Sequence, residues 1–330
     1  GVARLPVIDV RSPGEFDQGH VPGAVNIPLF DDSERAIIGT LYVKSGHDEA
    51  IMKGLDIALP KIEYFLESLT TVCSKGKVLL HCWRGGMRSA LMAEVFSKAG
   101  YEVDVLSGGY KAYRHAIREG FSAPARVVVL GGYTGTGKTE ILNAMALAGE
   151  QVIDLEQLAC HKGSVFGALG QPEQPTNEQF ENDLWLYWQK LDLSRPVWLE
   201  DESRMIGRIT LPDPVVKQLS NGLLIRAELE VSVRVERLVK EYAGFDNMLL
   251  AGAINKISER LGGTMTKAAL AALDNGRYTE VAAIVLAYYD KAYLFSVTRR
   301  KNKNVQNIRI SGRDPAKDAA MIIEFSRKYF

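Results

Sequence analysis

Arg126–Thr139 reads RVVVLGGYTGTGKT. Arg126–Leu130 is a short, mostly apolar run of strand length, and Gly132–Thr139, GYTGTGKT, matches G-x-x-x-x-G-K-[ST] in full. A helical pattern over Lys138–Ala148 follows at once. Strand, glycine loop and helix in this order form a phosphate-binding loop. Its glycines let consecutive backbone N–H groups converge on an anion, and the helix N-terminus adds partial positive charge. Gly132 opens the loop, and the amides from Gly135 through Thr136 and Gly137 to Thr139 are expected to cradle a diphosphate. Lys138 then neutralises the terminal phosphate, and the Thr139 hydroxyl holds Mg²⁺ where a metal is present.

Downstream, the chain alternates further strand runs, Gln151–Leu155, Pro196–Glu200, Leu223–Val231 and Asn304–Ile310, with helical patterns at Glu178–Leu191, Arg234–Tyr242 and Asp314–Lys328. That alternation predicts a parallel sheet with crossover helices, and residues 247–295 read as a helical insert. Ligands of such sheets sit beyond the strand C-termini. Asp154, His161, Lys162 and Ser164 are therefore candidates for the pocket, although a capped loop with solvated charges explains His161 as well. The segment WLEDESR offers Glu200, Asp201 and Glu202, among which Asp201 is taken as the partner of Thr139 at Mg²⁺. Trp185, Tyr187 and Trp188 are read as core aromatics in preference to a base-stacking or prenyl-binding set, and the cationic run TRRKNKN at 298–304 as either a phosphate-backbone contact or an exposed turn.

Upstream, strand runs at Pro6–Val10, Ala24–Pro28, Lys77–Cys82 and Glu102–Leu106, with a helix over Ser89–Ala99, predict a first α/β domain. The stretch GFSAPA at 120–125 breaks the pattern, which places a domain at 1–120 and another at 126–330. His81–Ser89 reads HCWRGGMRS. A cysteine delivered by an apolar strand to a loop of two glycines and two arginines, just before a helix, is placed for activation. Loop amides and the helix terminus stabilise a thiolate, and Arg84 and Arg88 add full charges. Cys82, Arg84 and Arg88 are the candidate catalytic residues.

Composition bounds the rest. The 330 residues suit about two domains, and 40 Lys and Arg balance 40 Asp and Glu, so nucleic-acid contact must rely on local patches. Three cysteines without a C-x-x-C pair exclude a disulfide framework or a four-thiolate zinc site. No apolar run approaching the ~18 residues of a membrane span is read, nor a signal pattern, and the expectation is a cytoplasmic protein with no membrane contact.

Asp9–Pro28, DVRSPGEFDQGHVPGAVNIP, together with the Cys82 loop and Val105–Tyr110, VLSGGY, resembles the rhodanese family. The resemblance implies that Cys82 carries sulfur or selenium as a persulfide-type intermediate, with Asp9 and Arg11 holding the loop structurally. One departure is that Cys82 to Arg88 is C-x5-R, a residue longer than the common sulfurtransferase loop and like that of phosphatases sharing the fold. A phosphatase, or a transferase using a phosphorylated chalcogen donor, explains it equally well.

A rhodanese-like α/β domain followed by a P-loop NTPase-like parallel α/β domain resembles the bacterial tRNA 2-selenouridine synthase family. Supporting stretches are CWRGGMRS, GYTGTGKT, DLEQLACHKGSVFG at 154–167, the segment around Gln174–Asn182, LEDESRMIG at 199–207 and LAYYDKAY at 286–293. Residues 245–285 add little to the match. The resemblance implies conversion of 2-thiouridine in the tRNA anticodon to 2-selenouridine through an S-geranyl intermediate. Its co-substrates would be geranyl diphosphate and selenophosphate, and it implies no tightly bound cofactor beyond possible Mg²⁺. The open alternative is a rhodanese-fold phosphatase or sulfurtransferase with a nucleotide-dependent regulatory P-loop domain.

Overall fold

The structure, a computed structural model, describes residues 5–299 and 304–329. The chain divides into two compact units: Gly1–Gly120 with Glu181–Leu186, and Phe121–Phe180 with Tyr187–Phe330. Within the first unit, the Asn182 amide donates to the carbonyl of His20 and to the Tyr110 hydroxyl, while its Oδ1 accepts from Arg114. Arg114 also pairs with Glu181. This polar knot ties Glu181–Leu186 to a unit distant in sequence.

The first unit is built on four parallel strands, β1 (Val7–Asp9), β2 (Val25–Asn26), β3 (Lys77–His81) and β4 (Glu102–Val105), in the order β2-β1-β3-β4. Ile8, Val10, Leu80, Phe65, Leu69, Met92 and Phe96 form its core. Three helices, Asp32–Lys44, His47–Ala58 and Ile62–Val72, fill the crossover from β2 to β3. The first of these opens on a capping box in which Asp31 accepts from the Glu34 amide. The helix expected over Ser89–Ala99 runs over Met87–Lys98, because the turn of Gly85 and Gly86 already brings its first amides into line.

The second unit carries β5 (Arg126–Gly132), β6 (Gln151–Val152), β7 (Pro196–Glu200), the short antiparallel pair β8 (Met205–Ile206) and β9 (Ile209–Thr210), β10 (Leu223–Glu228) and β11 (Val305–Arg309). Five of these form a parallel sheet ordered β11-β10-β5-β7-β6. β5 is central and buried from Val127 to Gly132, which is why it reads as an unbroken apolar run rather than an alternation. The helices Lys138–Leu147 and Pro315–Ser326 pack together over it, burying Ile141, Leu142, Met145 and Ile322. β6 stops at Val152, short of the expected Leu155, because Asp154 turns away to cap the helix Leu155–Leu158.

Helices Val231–Tyr242, Asn247–Lys256, Ser258–Leu261, Gly263–Asp274 and Tyr278–Thr298 make a helical layer with its own core around Phe166, Leu250, Ile254, Leu273 and Val285. The last of them corrects the expectation of no span-length apolar run. Among the described residues it is one helix of 21 residues long and apolar enough to cross a membrane by length and composition alone. One of its acids faces the fold: Asp290 takes both Nη atoms of Arg234 at 2.8 Å, while Glu280 and Lys291 are exposed. The aromatic set at 185–188 also divides. Trp188 is buried against Phe121, whereas Tyr187 is 50% exposed, because neighbouring positions on a helix point in different directions. Of the run TRRKNKN, residues 300–303 lie outside the described residues.

Candidate active site

β3 ends at His81, and Cys82 follows at its C-terminal end, only 3% exposed. The loop after it is stitched to the turn that follows β4: the Tyr110 amide donates to the Cys82 carbonyl and the Lys111 amide to that of Trp83, both at 2.9 Å. Gly109, at φ +59, lies so close to the loop that a Cβ there would sit 2.5 Å from the Cys82 carbonyl oxygen. Only glycine fits that approach. The Cys82 Sγ lies 3.3 Å from the Ser89 hydroxyl, which can donate its single proton to the thiolate or to the Gly86 carbonyl at 2.9 Å. Burial pushes the thiol up, but the Ser89 hydroxyl and the amides of Arg84, Ser89 and Gly86 outweigh it, and Cys82 is held below the usual thiol range.

The two arginines of the loop differ. Arg84 is exposed, whereas Arg88 donates from Nη1 to Glu15 at 2.6 Å. Glu15 is in turn fixed by the Ser12 amide in a capping box, and Arg35 lies 3.8 Å away. Beneath them, Arg11 and Asp9 form a fully buried pair at 2.7 Å, with the guanidinium also donating to the Gly19 carbonyl and lying 3.8 Å over the Tyr110 ring. That pair supports the loop and does not reach solvent.

In the second unit, the loop from Gly132 to Thr139 turns through Gly135 and Gly137, both at φ +81. Lys138 Nζ lies 3.3 Å from the Gly132 carbonyl, spanning the loop it is expected to serve. Thr136 is buried and donates back to the Tyr133 carbonyl. Gly132, Gly135, Gly137, Lys138 and Thr139 line a cleft of about 1040 Å³, which Lys162, Ser164, Asp201 and Glu202 also line.

Asp154, His161 and Glu200 do not line that cleft. Asp154 caps the helix after β6, and Glu200 is buried, accepting from the Leu155 amide at 2.9 Å. Burial, with Asp154 nearby, raises Glu200 well above the usual carboxyl range. His161 is buried beside Gly167 and Gly207, and its desolvated ring is held neutral. Lys162 reaches the cleft but is paired with Glu241.

Several site residues were not read from the sequence. The Thr139 hydroxyl donates to Glu156 at 3.5 Å, and Glu156 hydrogen-bonds Glu202. Burial raises both carboxyls while Lys138 opposes the rise. Asp201 instead accepts from the Tyr293 hydroxyl at 3.0 Å, and that hydroxyl accepts from the Gly132 amide. Arg237 packs at Gly137 and pairs with Glu140. A hydroxyl and crowded carboxyl oxygens suit Mg²⁺, whose charge would relieve the repulsion between Glu156 and Glu202. Among the described residues no group of three or more His, Cys, Asp or Glu is placed to hold a metal, so phosphate oxygens and water would complete such a site.

A buried cysteine in an arginine–glycine loop on one parallel sheet and a phosphate loop on another define a rhodanese-like unit joined in one chain to a P-loop unit. The family models agree: a rhodanese-like domain matches residues 2–116, and the tRNA 2-selenouridine synthase AAA domain matches residues 125–314. Proteins named tRNA 2-selenouridine synthase are similar over about nine-tenths of the chain. That of Nitrosomonas europaea is 32% identical over 91% of both chains. Those of Bdellovibrio bacteriovorus and Sulfurovum sp. are each 33% identical over 90% of both. The chain belongs to the tRNA 2-selenouridine synthase family.

Proposed function

We propose that this protein replaces the sulfur of 2-thiouridine in the tRNA anticodon by selenium, in the cytoplasm, by way of S-geranyl-2-thiouridine. The observation that carries this reading is the presence of two separate anion loops, one with a nucleophile and one without. The P-loop offers only phosphate contacts, from Gly135–Thr139 amides and Lys138, which suits a donor whose diphosphate must be bound and must leave. Geranyl diphosphate is such a donor. Its C1–O bond breaks with the electron pair on diphosphate as the thiocarbonyl sulfur bonds to C1. Alkylation turns a poor leaving group into a good one. Thr139, Glu156 and Glu202, with Asp201 at the same cleft, are the residues that would hold Mg²⁺, which when bound would neutralise the departing diphosphate.

The second exchange belongs to Cys82. Selenophosphate holds selenium at the selenide level, so a perselenide on Cys82, of the persulfide type the rhodanese likeness implies, would need an oxidant that this donor does not supply. The balanced step is attack of the Cys82 thiolate at phosphorus. The P–Se bond breaks with its electron pair on selenium, and the phosphoryl group stays on sulfur until water removes it. Selenide then forms a bond to C2 of the base and geranethiol leaves, taking one proton. The C-x5-R loop with its amide nest suits a phosphoryl group, with Arg84 and Arg88 as its cations.

Chromatography of nucleosides from variant-treated tRNA tests the assignment. Lys138→Ala should stall at 2-thiouridine, with geranyl transfer slowed about 10²–10³-fold, yet convert supplied S-geranyl tRNA. Cys82→Ser should geranylate and accumulate the geranylated tRNA. A Lys138 variant that geranylates normally but cannot introduce selenium would overturn the assignment of steps to loops.

A further inference from the structure

Beside the phosphate cleft, and sharing a wall with it, lies a second, smaller cavity of about 60 Å³. The shared wall consists of Leu238, Tyr242 and Tyr289, with Thr134 and Ser164. Beyond it the lining is mostly apolar: Phe166 and Leu250 on one side, Val281, Ala282 and Val285 of the helix Tyr278–Thr298 on the other, with Tyr278 donating its hydroxyl to Asn247 at 3.1 Å. The tyrosines bring no charge to it. Burial raises both Tyr242 and Tyr289, so they stay neutral, and Tyr289 spends its oxygen accepting from the Val165 amide at 3.0 Å.

An apolar cavity opening beside a phosphate loop selects an amphipathic ligand, anionic at one end and hydrocarbon at the other. A purine would leave its ring nitrogens and exocyclic amine facing aliphatic carbon, at the cost of unsatisfied polar groups. We propose that this slot, built by the helical layer, holds the end of the hydrocarbon tail of an allylic diphosphate whose phosphates sit on Gly135–Thr139. The inference rests on the reading of the P-loop as a diphosphate-donor site and adds to it the residues that recognise the tail. The volume is small, so the slot takes the last few carbons of a chain whose beginning lies in the larger cleft, and it limits chain length. Ala282, half-buried on the slot wall, is where a larger side chain would close it.

Calorimetric binding of inorganic diphosphate, dimethylallyl, geranyl and farnesyl diphosphates and ADP to the full chain tests this. Each buried methylene is worth about fourfold in affinity. Geranyl diphosphate should therefore bind at least about tenfold more tightly than inorganic diphosphate, with no further gain for farnesyl. In Ala282→Trp the ratio of geranyl to inorganic diphosphate affinity should fall toward one. The chain-length series on the unmodified protein stands even if that variant does not fold. Equal binding of geranyl and inorganic diphosphate would remove the slot as a tail site and leave the P-loop reading intact. An advantage shared by ADP and lost in Ala282→Trp would make it a base site, also overturning the proposal. Failure of every diphosphate to bind would overturn the P-loop reading itself.

Discussion

Arg88, the last residue of the C-x5-R loop, donates from Nη1 to Oε2 of Glu15 at 2.6 Å, across 73 positions of sequence. The loop arginine is thus aimed by a residue of the first helix, Pro13–Gln18, whose own carboxylate is held by the Ser12 cap. Burial raises the Glu15 carboxyl, but Arg88, the Ser12 amide and Arg35 outweigh it and hold it below the usual range.

That balance has a pH signature. A carboxylate whose folded pKa lies below its unfolded value stabilises the fold above the unfolded value, here 4.5, and loses that contribution as pH falls through the folded one. Arg88→Ala should remove about 1 kcal/mol at neutral pH, since both side chains are partly solvated. The loss should shrink toward acid. Urea unfolding of both proteins between pH 7 and pH 3 measures it, and a constant difference would rule out the pairing.

Ser89 should control the reactivity of Cys82. Ser89→Ala removes the hydroxyl 3.3 Å from Sγ, and the thiol pKa should rise. Carboxamidomethylation of Cys82 at pH 7 should slow about three- to tenfold and recover at high pH, where both proteins carry thiolate. Mass spectrometry of labelled peptides, with Cys73 and Cys160 as internal references, reads the site directly.

Asp9 should prove indispensable for stability rather than for chemistry. Asp9→Asn leaves Arg11, 1% exposed, without its carboxylate, and breaking a buried pair costs about 3–5 kcal/mol. Thermal unfolding of the first unit's transition should fall accordingly. A conservative change here that left stability intact would contradict the buried pair.

Tyr293 should tune the phosphate loop from the helical layer. Its hydroxyl accepts from the Gly132 amide and donates to Asp201, so Tyr293→Phe orphans a backbone donor at the start of the loop. Diphosphate affinity should drop about five- to thirtyfold, matching 1–2 kcal/mol for a lost buried hydrogen bond. Isothermal titration with inorganic diphosphate is the measurement, and unchanged affinity would show that the loop holds its shape without the tyrosine.

Sequence alone determined the two α/β architectures and both anion loops, because each loop is contiguous: strand, glycines, charged residue and helix lie within about fifteen positions, and local backbone rules bring them together. It also showed the helical stretch near 247–295, through consecutive helical patterns with no clear strand among them. Tertiary structure alone decided which side chains meet across distance. Arg88 finds Glu15, Gly132 finds Tyr293 161 positions away, and Thr139 finds Glu156. It also sent Asp154 and Glu200 into capping and His161 into a buried turn, and it opened an apolar slot between helices that share no motif. A carboxylate in a loop looks the same in sequence whether it faces a ligand, a cap or a buried neighbour. Packing selects among these by burying some partners and exposing others, and that choice depends on elements far apart in the chain.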